Sequence, residues 1–298
     1  MNKILPNFII AGVARCGTTS LYYYLKQHPQ IGFSSIKEPK FFSSFNQLFP
    51  HKGPGDLSID KKVIKNFDEY CKLFTHLKKN QCVGEASSDY FYFHKNTIPL
   101  LKRYLGEDLK IIICLRNPIE RSFSAYNNLI RDSRETNEFF TSLSKEEFRI
   151  KSNYDWMWHY SNGSLYSEGI KAFKNSFKKV KIILNEDLKN NPKTTLIDIF
   201  NFLGVDDSFK ADFSKKYSKS GKPKNFFFKI ISDRTGIFYF LRNFIIKNFP
   251  RSFLEVISKN MFKKGQMDSK SKIYLKNFFK DDILETEKQI NRDLSAWK

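Results

Sequence analysis

Acidic residues are scarce in this chain of 298 residues: 31 Asp and Glu stand against 51 Lys and Arg, a formal charge of +20. Such an excess points to anionic partners, among them nucleotides, nucleic acid, acidic glycans or a membrane surface. Cysteine is equally sparse. Cys16, Cys71, Cys82 and Cys114 show no metal-ligand spacing and read as free thiols in a reducing compartment. No apolar run approaches the roughly 20 residues that a membrane span needs. The apolar start could pass for a secretion signal, but Pro6 and Asn7 break its core, and Arg15 precedes Cys16 where a lipoprotein signal has a small residue. The expectation is therefore a cytoplasmic chain, at most peripheral to the inner face of a membrane. No segment repeats, and the length is enough for one full core.

What the sequence does contain is organised around residues 7–25. Residues 8–11, Phe-Ile-Ile-Ala, read as a buried strand. A turn follows between Gly12 and Gly17. Thr18, Thr19 and Ser20 then open a helix that Pro29 closes. A strand, a glycine-bounded loop and a helix N-terminus make an anion cradle, because free N–H groups and the helix dipole both favour negative charge. Gly12 and Gly17 have the spacing of a nucleoside-triphosphate loop, and Thr19 stands at its hydroxyl position. Thr18, however, replaces its lysine, and the only cation in the loop is Arg15. This argues against ATP hydrolysis and for an anion gripped differently. The alternative is a simple connection between strand and helix.

Residues 30–80 are rich in loops. Lys37-Glu38-Pro39-Lys40 precedes Phe41 and Phe42, which pin that loop to the core, and residues 64–77 carry the period of an amphipathic helix. Residues 81–85 read as a short strand ending at Glu85, a carboxylate placed where ligands bind in α/β sheets. Half-buried, it would have the raised pKa of a proton acceptor; alternatively it caps a helix or pairs with a lysine. Residues 110–115, Lys-Ile-Ile-Ile-Cys-Leu, form the clearest strand, apolar on both faces and hence parallel. Arg116 leaves that strand, Pro118 opens a helix over 119–131, and Arg116 and Ser124 both reach one cleft as phosphate ligands. Arg121 braces the helix. Residues 132–152 are polar and charged and read as a surface helix or insertion. Trp156, Trp158, His159 and Tyr160 are either core or a platform for a sugar.

A helix at 167–177, a strand at 180–184 and a helix at 194–203 complete an alternation of strands and helices. The fold class is thus α/β, three layers in the order α/β/α around a mostly parallel sheet. The last third differs: residues 218–250 hold seven Lys or Arg and one Asp among many Phe and Ile. One domain is expected, with a nucleotide-binding core at 5–217. A basic loop and a helical part that could lie on a membrane follow at 218–298, and the final helix spans 273–294.

Three matches coincide. Arg15-Cys16-Gly17-Thr18-Thr19-Ser20-Leu21 resembles the loop with which sulfotransferases hold the 5′-phosphosulfate of 3′-phosphoadenosine 5′-phosphosulfate. The segment from Leu115 to Tyr126 resembles their 3′-phosphate segment. Lys37-Glu38-Pro39-Lys40-Phe41-Phe42 and Gly84-Glu85-Ala86-Ser87 are similar to the two motifs between them. Order and spacing resemble the bacterial and heparan-sulfate branch over nearly the whole chain. The resemblance implies a donor nucleotide held by Arg15, Cys16, Gly17, Thr18, Thr19 and Ser20, with Arg116 and Ser124 on its 3′-phosphate. It implies Glu85 as the general base and Lys219-Ser220-Gly221-Lys222 as a loop closing over the nucleotide, although that loop departs from the family pattern. Arg15 stands where a lysine is usual; it can neutralise a leaving phosphate but cannot donate a proton at ordinary pH. Lys37 and His159 are candidate acceptor contacts. No metal is required, and the acceptor implied is a carbohydrate or glycolipid rather than nucleic acid. The competing readings are a nucleotide kinase on the same cradle and a non-enzymatic binder of nucleic acid or anionic membrane.

Overall fold

The computed structural model describes residues 3–78, 81–214, 222–223, 239–248, 262–263 and 265–298. Five parallel strands form its sheet: β1 (Phe8–Gly12), β2 (Ile31–Phe33), β3 (Cys82–Ala86), β4 (Lys110–Leu115) and β5 (Lys179–Leu184), in the order β2-β3-β1-β4-β5. Six helices matter here: α1 (Thr18–Leu25), α2 (His94–Leu105), α3 (Pro118–Arg131), α4 (Ser167–Ser176), α5 (Pro192–Leu203) and α6 (Ser269–Ile290). All of β1 is buried, as is β4 from Ile111 to Leu115, so helices and loops cover both faces of the sheet. An apolar run with no alternation folds as such a parallel strand because neither face meets water. The expected three-layer α/β architecture is the one observed.

The chain leaves β1 toward one edge of the sheet and returns past it to the other. The order therefore reverses around β1, and ligands bind outside the carboxyl ends of strands at such a reversal. At that end of β1 lies the loop into α1. Helix α3 starts beside it: the Asn117 side chain accepts from Ile119 N (3.0 Å) and Glu120 N (3.4 Å), and Pro118 fills the first position. Both features favour a helix start, since they occupy N–H positions left without intrahelical partners.

The polar stretch 132–152 agrees with expectation only in part. It does form surface helices, Phe139–Ser144 and Glu146–Lys151, with exposed outer positions, but it also carries buried ionic clamps. Arg134 pairs with Asp56, and Arg149 with Glu135 at 2.7 Å, all four side chains at most 5 % exposed. Glu146 accepts from the backbone N of Ser161 and of Asn162. Charged composition alone cannot distinguish such pairs from a wet surface. The final helix runs from Ser269 and buries Leu275, Phe279 and Ile283. Its Asp282 takes the N–H groups of Tyr166 and Ser167, both at 2.9 Å, tying it to the start of α4.

Candidate active site

The loop between β1 and α1 is shaped by its backbone. Arg15 and Gly17 both have positive φ, 73° and 97°. A Cβ on Gly17 would also lie 2.5 Å from Asn185 Nδ2, the amide that donates to Cys16 O at 3.1 Å. Only glycine meets both demands without strain. The turn leaves the first N–H groups of α1 pointing outward, without intrahelical acceptors, at the positive end of the helix dipole.

A cavity of about 150 Å³ opens against this helix start. It is lined by Ala14, Arg15, Thr18 and Thr19 on one side, Arg121, Ala125 and Asn128 of α3 on another, and Glu38, Lys40, Ser88, Trp156 and Met157 opposite. Arg15 lies across α3, donating through Nε to Ser124 Oγ (3.2 Å) and through Nη1 to Asn128 Oδ1 (3.1 Å). Arg121, 1 % exposed, donates to Ala14 O at 3.1 Å and to Tyr160 O at 3.3 Å. It thus braces the loop itself as well as its own helix. Arg116 forks onto Glu120 at 3.0 and 2.7 Å and touches Arg15 O at 3.5 Å, just outside the cavity lining. Burial, with the charges of Arg131, Arg116 and Arg121 close by, pushes the Arg15 guanidinium down to about 10. A pocket this crowded with positive charge favours an anion.

The facing wall carries the carboxylate. Glu38, with φ of 61°, accepts from Lys37 Nζ (2.6 Å) and Ser88 Oγ (3.1 Å). Burial alone would raise its pKa, but Lys37, Lys40 and these hydrogen bonds outweigh it and hold Glu38 below the usual range. Lys40 is lifted above its ordinary value: burial would lower it, but Asp89, Asp155 and Glu38 prevail. Its ammonium stands 5.9 Å from the centre of the Trp156 ring.

Of the expected site residues Arg15, Thr18 and Thr19 line the cavity; Gly17, Arg116 and Ser124 lie beside it, and others, Glu85 and His159 first among them, do not line it. Glu85 lies inside β3 rather than at its tip, is fully buried, and is held by the hydroxyls of Tyr90 (2.8 Å) and Tyr70 (3.3 Å). Burial pushes its carboxyl up to about 7, but it does not line the cavity. His159 is buried against the Tyr92 hydroxyl at 2.7 Å, and desolvation pushes it down to about 4. Trp158 and Tyr160 are core, and only Trp156 of the aromatic run, with Met157, reaches the cavity. The Cys16 thiol points into the core, its pKa raised by burial to about 11, so only its backbone faces the loop. Ser20 is not among the lining residues, and Lys37 reaches the site through Glu38. Lys219, Ser220 and Gly221 lie outside the described residues. The backbone of Lys222 and Pro223 pairs with Phe262 and Lys263 and packs beside α3. Ser88 and Asn128 were not singled out from the sequence, and Glu38 and Lys40 entered only as part of the Lys37–Phe42 segment, with no role of their own. The available signal was Glu38 bracketed by Lys37 and Lys40, just before two anchoring phenylalanines.

Known proteins that resemble this chain are sulfotransferases. A membrane-associated sulfotransferase of Dictyostelium discoideum is 38 % identical over 126 residues, covering 41 % of this chain and 23 % of its own length. Carbohydrate sulfotransferase 15 of Mus musculus is 25 % identical, covering 68 % and 44 % respectively. A bifunctional heparan sulfate N-deacetylase/N-sulfotransferase 2 of Bos taurus is 21 % identical over 97 % of this chain and 30 % of its own. The chain thus spans less than half the length of these curated relatives. The crystal structure of a sulfotransferase from Alicyclobacillus acidocaldarius superposes with a TM-score of 0.78 at 34 % identity, over 99 % of each chain. The family model described as "Sulfotransferase domain" matches residues 5–293, and the chain belongs to that family.

Proposed function

We propose that the chain transfers a sulfuryl group from 3′-phosphoadenosine 5′-phosphosulfate to a hydroxyl or amine of a carbohydrate or glycolipid. One observation carries the reading. A single cavity has crowded guanidinium charge and a helix N-terminus on one wall and an ionised carboxylate, Glu38, on the other. The donor, when bound, supplies the activated sulfuryl group. The N–H groups at the start of α1, with Thr18 and Thr19, hold its 5′ end, and Arg15 neutralises charge on the leaving phosphate. Arg116 and Ser124, both touching Arg15, are set to take the 3′-phosphate. Glu38, not Glu85, accepts the acceptor's proton. Lys37 keeps it ionised at neutral pH, and catalysis otherwise rests on positioning and charge stabilisation.

The names of the carbohydrate and heparan sulfate relatives support a sugar acceptor, which would stack against Trp156 and Met157. No helix among the described residues is long and apolar enough to cross a membrane. Helix Tyr239–Asn248, which exposes Phe240, Leu241 and Phe244, supports peripheral contact with a membrane, as does the relative named membrane-associated. Four free thiols fit a cytoplasmic setting. The test is transfer of radiolabelled sulfate from the donor to cell-extract acceptors. Wild type should label a carbohydrate product, and Glu38→Gln should lose on the order of 10²–10⁴ in rate while still binding adenosine 3′,5′-bisphosphate. Protection against heat by magnesium-ATP alone, with none from the bisphosphate, would turn the reading toward a kinase.

A further inference from the structure

Glu85 has no access to the cavity, yet its surroundings tie it to the segment that forms the cavity's opposite wall. Residues 38–42 are fixed to the strand β3 region at alternate positions. Glu38 N donates to Ala86 O (2.9 Å), Lys40 N to Ser87 Oγ (3.0 Å) and Phe42 N to Tyr90 Oη (3.4 Å). Two of these three ties end on hydroxyls. A hydroxyl has one proton to give and lone pairs to receive with, so it accepts from a backbone N–H most effectively when its own proton is committed elsewhere. For Tyr90 that commitment is visible: its O–H donates to Glu85 Oε2 at 2.8 Å. Glu85 is fully buried, and Tyr70 donates to it from the other side at 3.3 Å. The segment it steadies needs steadying, because both Glu38 and Lys40 sit at positive φ, 61° and 58°, a conformation costly for residues with a Cβ.

We infer that Glu85 is a positioning residue for the transfer reaction: its carboxylate orients the Tyr90 hydroxyl, which holds the Phe42 amide and with it the segment that presents Glu38 to the cavity. The inference rests on Glu38 being the base. It predicts an effect on the proton-transfer step and none on the nucleotide wall, which is built by α1 and α3 and shares no hydrogen bond with Glu85.

The test compares Glu85→Gln and Tyr90→Phe with wild type in the full chain. Each variant removes one part of the relay, and Tyr90→Phe leaves the buried carboxylate in place should Glu85→Gln fold poorly. Both should lower kcat on the order of 10-fold, with affinity for adenosine 3′,5′-bisphosphate unchanged within about 2-fold. The losses should shrink to less than about 2-fold when the same changes are made in Glu38→Gln, whose residual transfer is followed with radiolabelled donor, because a misplaced base no longer matters once the base is gone. A merely structural role would give the same factor in both backgrounds or would weaken nucleotide binding, and either result overturns the inference. So does wild-type turnover in both variants. Full turnover in Glu38→Gln itself overturns the base assignment instead, which keeps the two failures apart.

Discussion

Arg15→Met should separate stability from binding. In the ligand-free protein the Arg15 guanidinium is carried at a cost, because burial and the charges of Arg131, Arg116 and Arg121 lower its pKa to about 10 from an ordinary 12.5. Each tenfold shift in proton affinity corresponds to about 1.4 kcal/mol, and Arg15 keeps an edge in solvent, so the cost is put at roughly 1–3 kcal/mol. At neutral pH the folded and unfolded chains both hold the proton, and the cost appears in full as lost stability. Methionine has similar reach, tolerates the same positive φ no worse than arginine, and removes the charge. It forfeits hydrogen bonds to Ser124 and Asn128, but Asn128 Oδ1 retains Arg131 Nη2 at 2.6 Å. The ligand-free variant should therefore be as stable as wild type in urea, or more stable by up to about 2 kcal/mol. Its gain in melting temperature with adenosine 3′,5′-bisphosphate should fall to a small fraction of the wild-type gain, since the anion no longer relieves the crowding. A variant that unfolds more easily without ligand by 2 kcal/mol, or that responds to the nucleotide like wild type, would refute the claim that Arg15 is held for an anion.

Glu85 gives a pH signature. Its folded pKa, about 7, lies above its unfolded value, so the folded state binds the proton more tightly, and stability should rise as pH falls from about 8 toward 5. Chemical unfolding of Glu85→Gln should lack that component, and parallel curves for the two proteins would refute it. Gly17→Ala places a Cβ against Asn185 Nδ2 at a φ of 97°, and should cost about 1–2 kcal/mol and most nucleotide binding, measured by urea unfolding and calorimetric titration. Glu135→Ala leaves the buried Arg149 without its carboxylate and should destabilise by about 3–5 kcal/mol in the same unfolding assay, where a surface insertion would give almost nothing. Burial raises all four thiols, Cys16 and Cys82 to about 11, so Ellman's reagent at pH 8 should react slowly with the native protein and fully after unfolding.

Four of the five strands were legible as short runs leading into turns or helices, of which β1 and β4 are the plainest because such an apolar run has few alternatives to a buried parallel strand; β2, three residues at the edge of the sheet within a stretch read as rich in loops, was not. The helix start after Gly17 was legible for a related reason. A glycine and three hydroxyl residues a short loop after a strand satisfy a helix start that most residues cannot enter. The buried clamps of the 132–152 stretch were not legible. Arg134 is buried against Asp56, 78 residues away, and Glu135 takes the Tyr160 hydroxyl from 25 residues away. The nearer contacts, Glu135 with Arg149 and Glu146 with the Ser161 and Asn162 amides, follow no helical or strand period that would mark them as pairs.

The choice between Glu38 and Glu85 shows how narrow the margin can be. Reading the strand as ending at Glu85 puts that carboxylate at the tip, where ligands bind. The strand in fact continues to Ala86, and Glu85 stands level with Ile9, in the middle of β1 and below the loop that forms the cradle. The tip is passed instead to Ser87 and Ser88, and Ser88 is the residue that lines the cavity and donates to Glu38. Because successive strand side chains point to opposite faces, an error of one residue at a strand end exchanges a site residue for a core residue. In a sheet covered on both faces, burial pattern cannot correct the error, since either parity reads as apolar. Glu38, seen only as part of the Lys37–Phe42 segment, was given no role for the opposite reason. It sits on no strand, and its approach to the cavity depends on two left-handed residues and on ties to Ala86, Ser87 and Tyr90, contacts about fifty residues away in sequence.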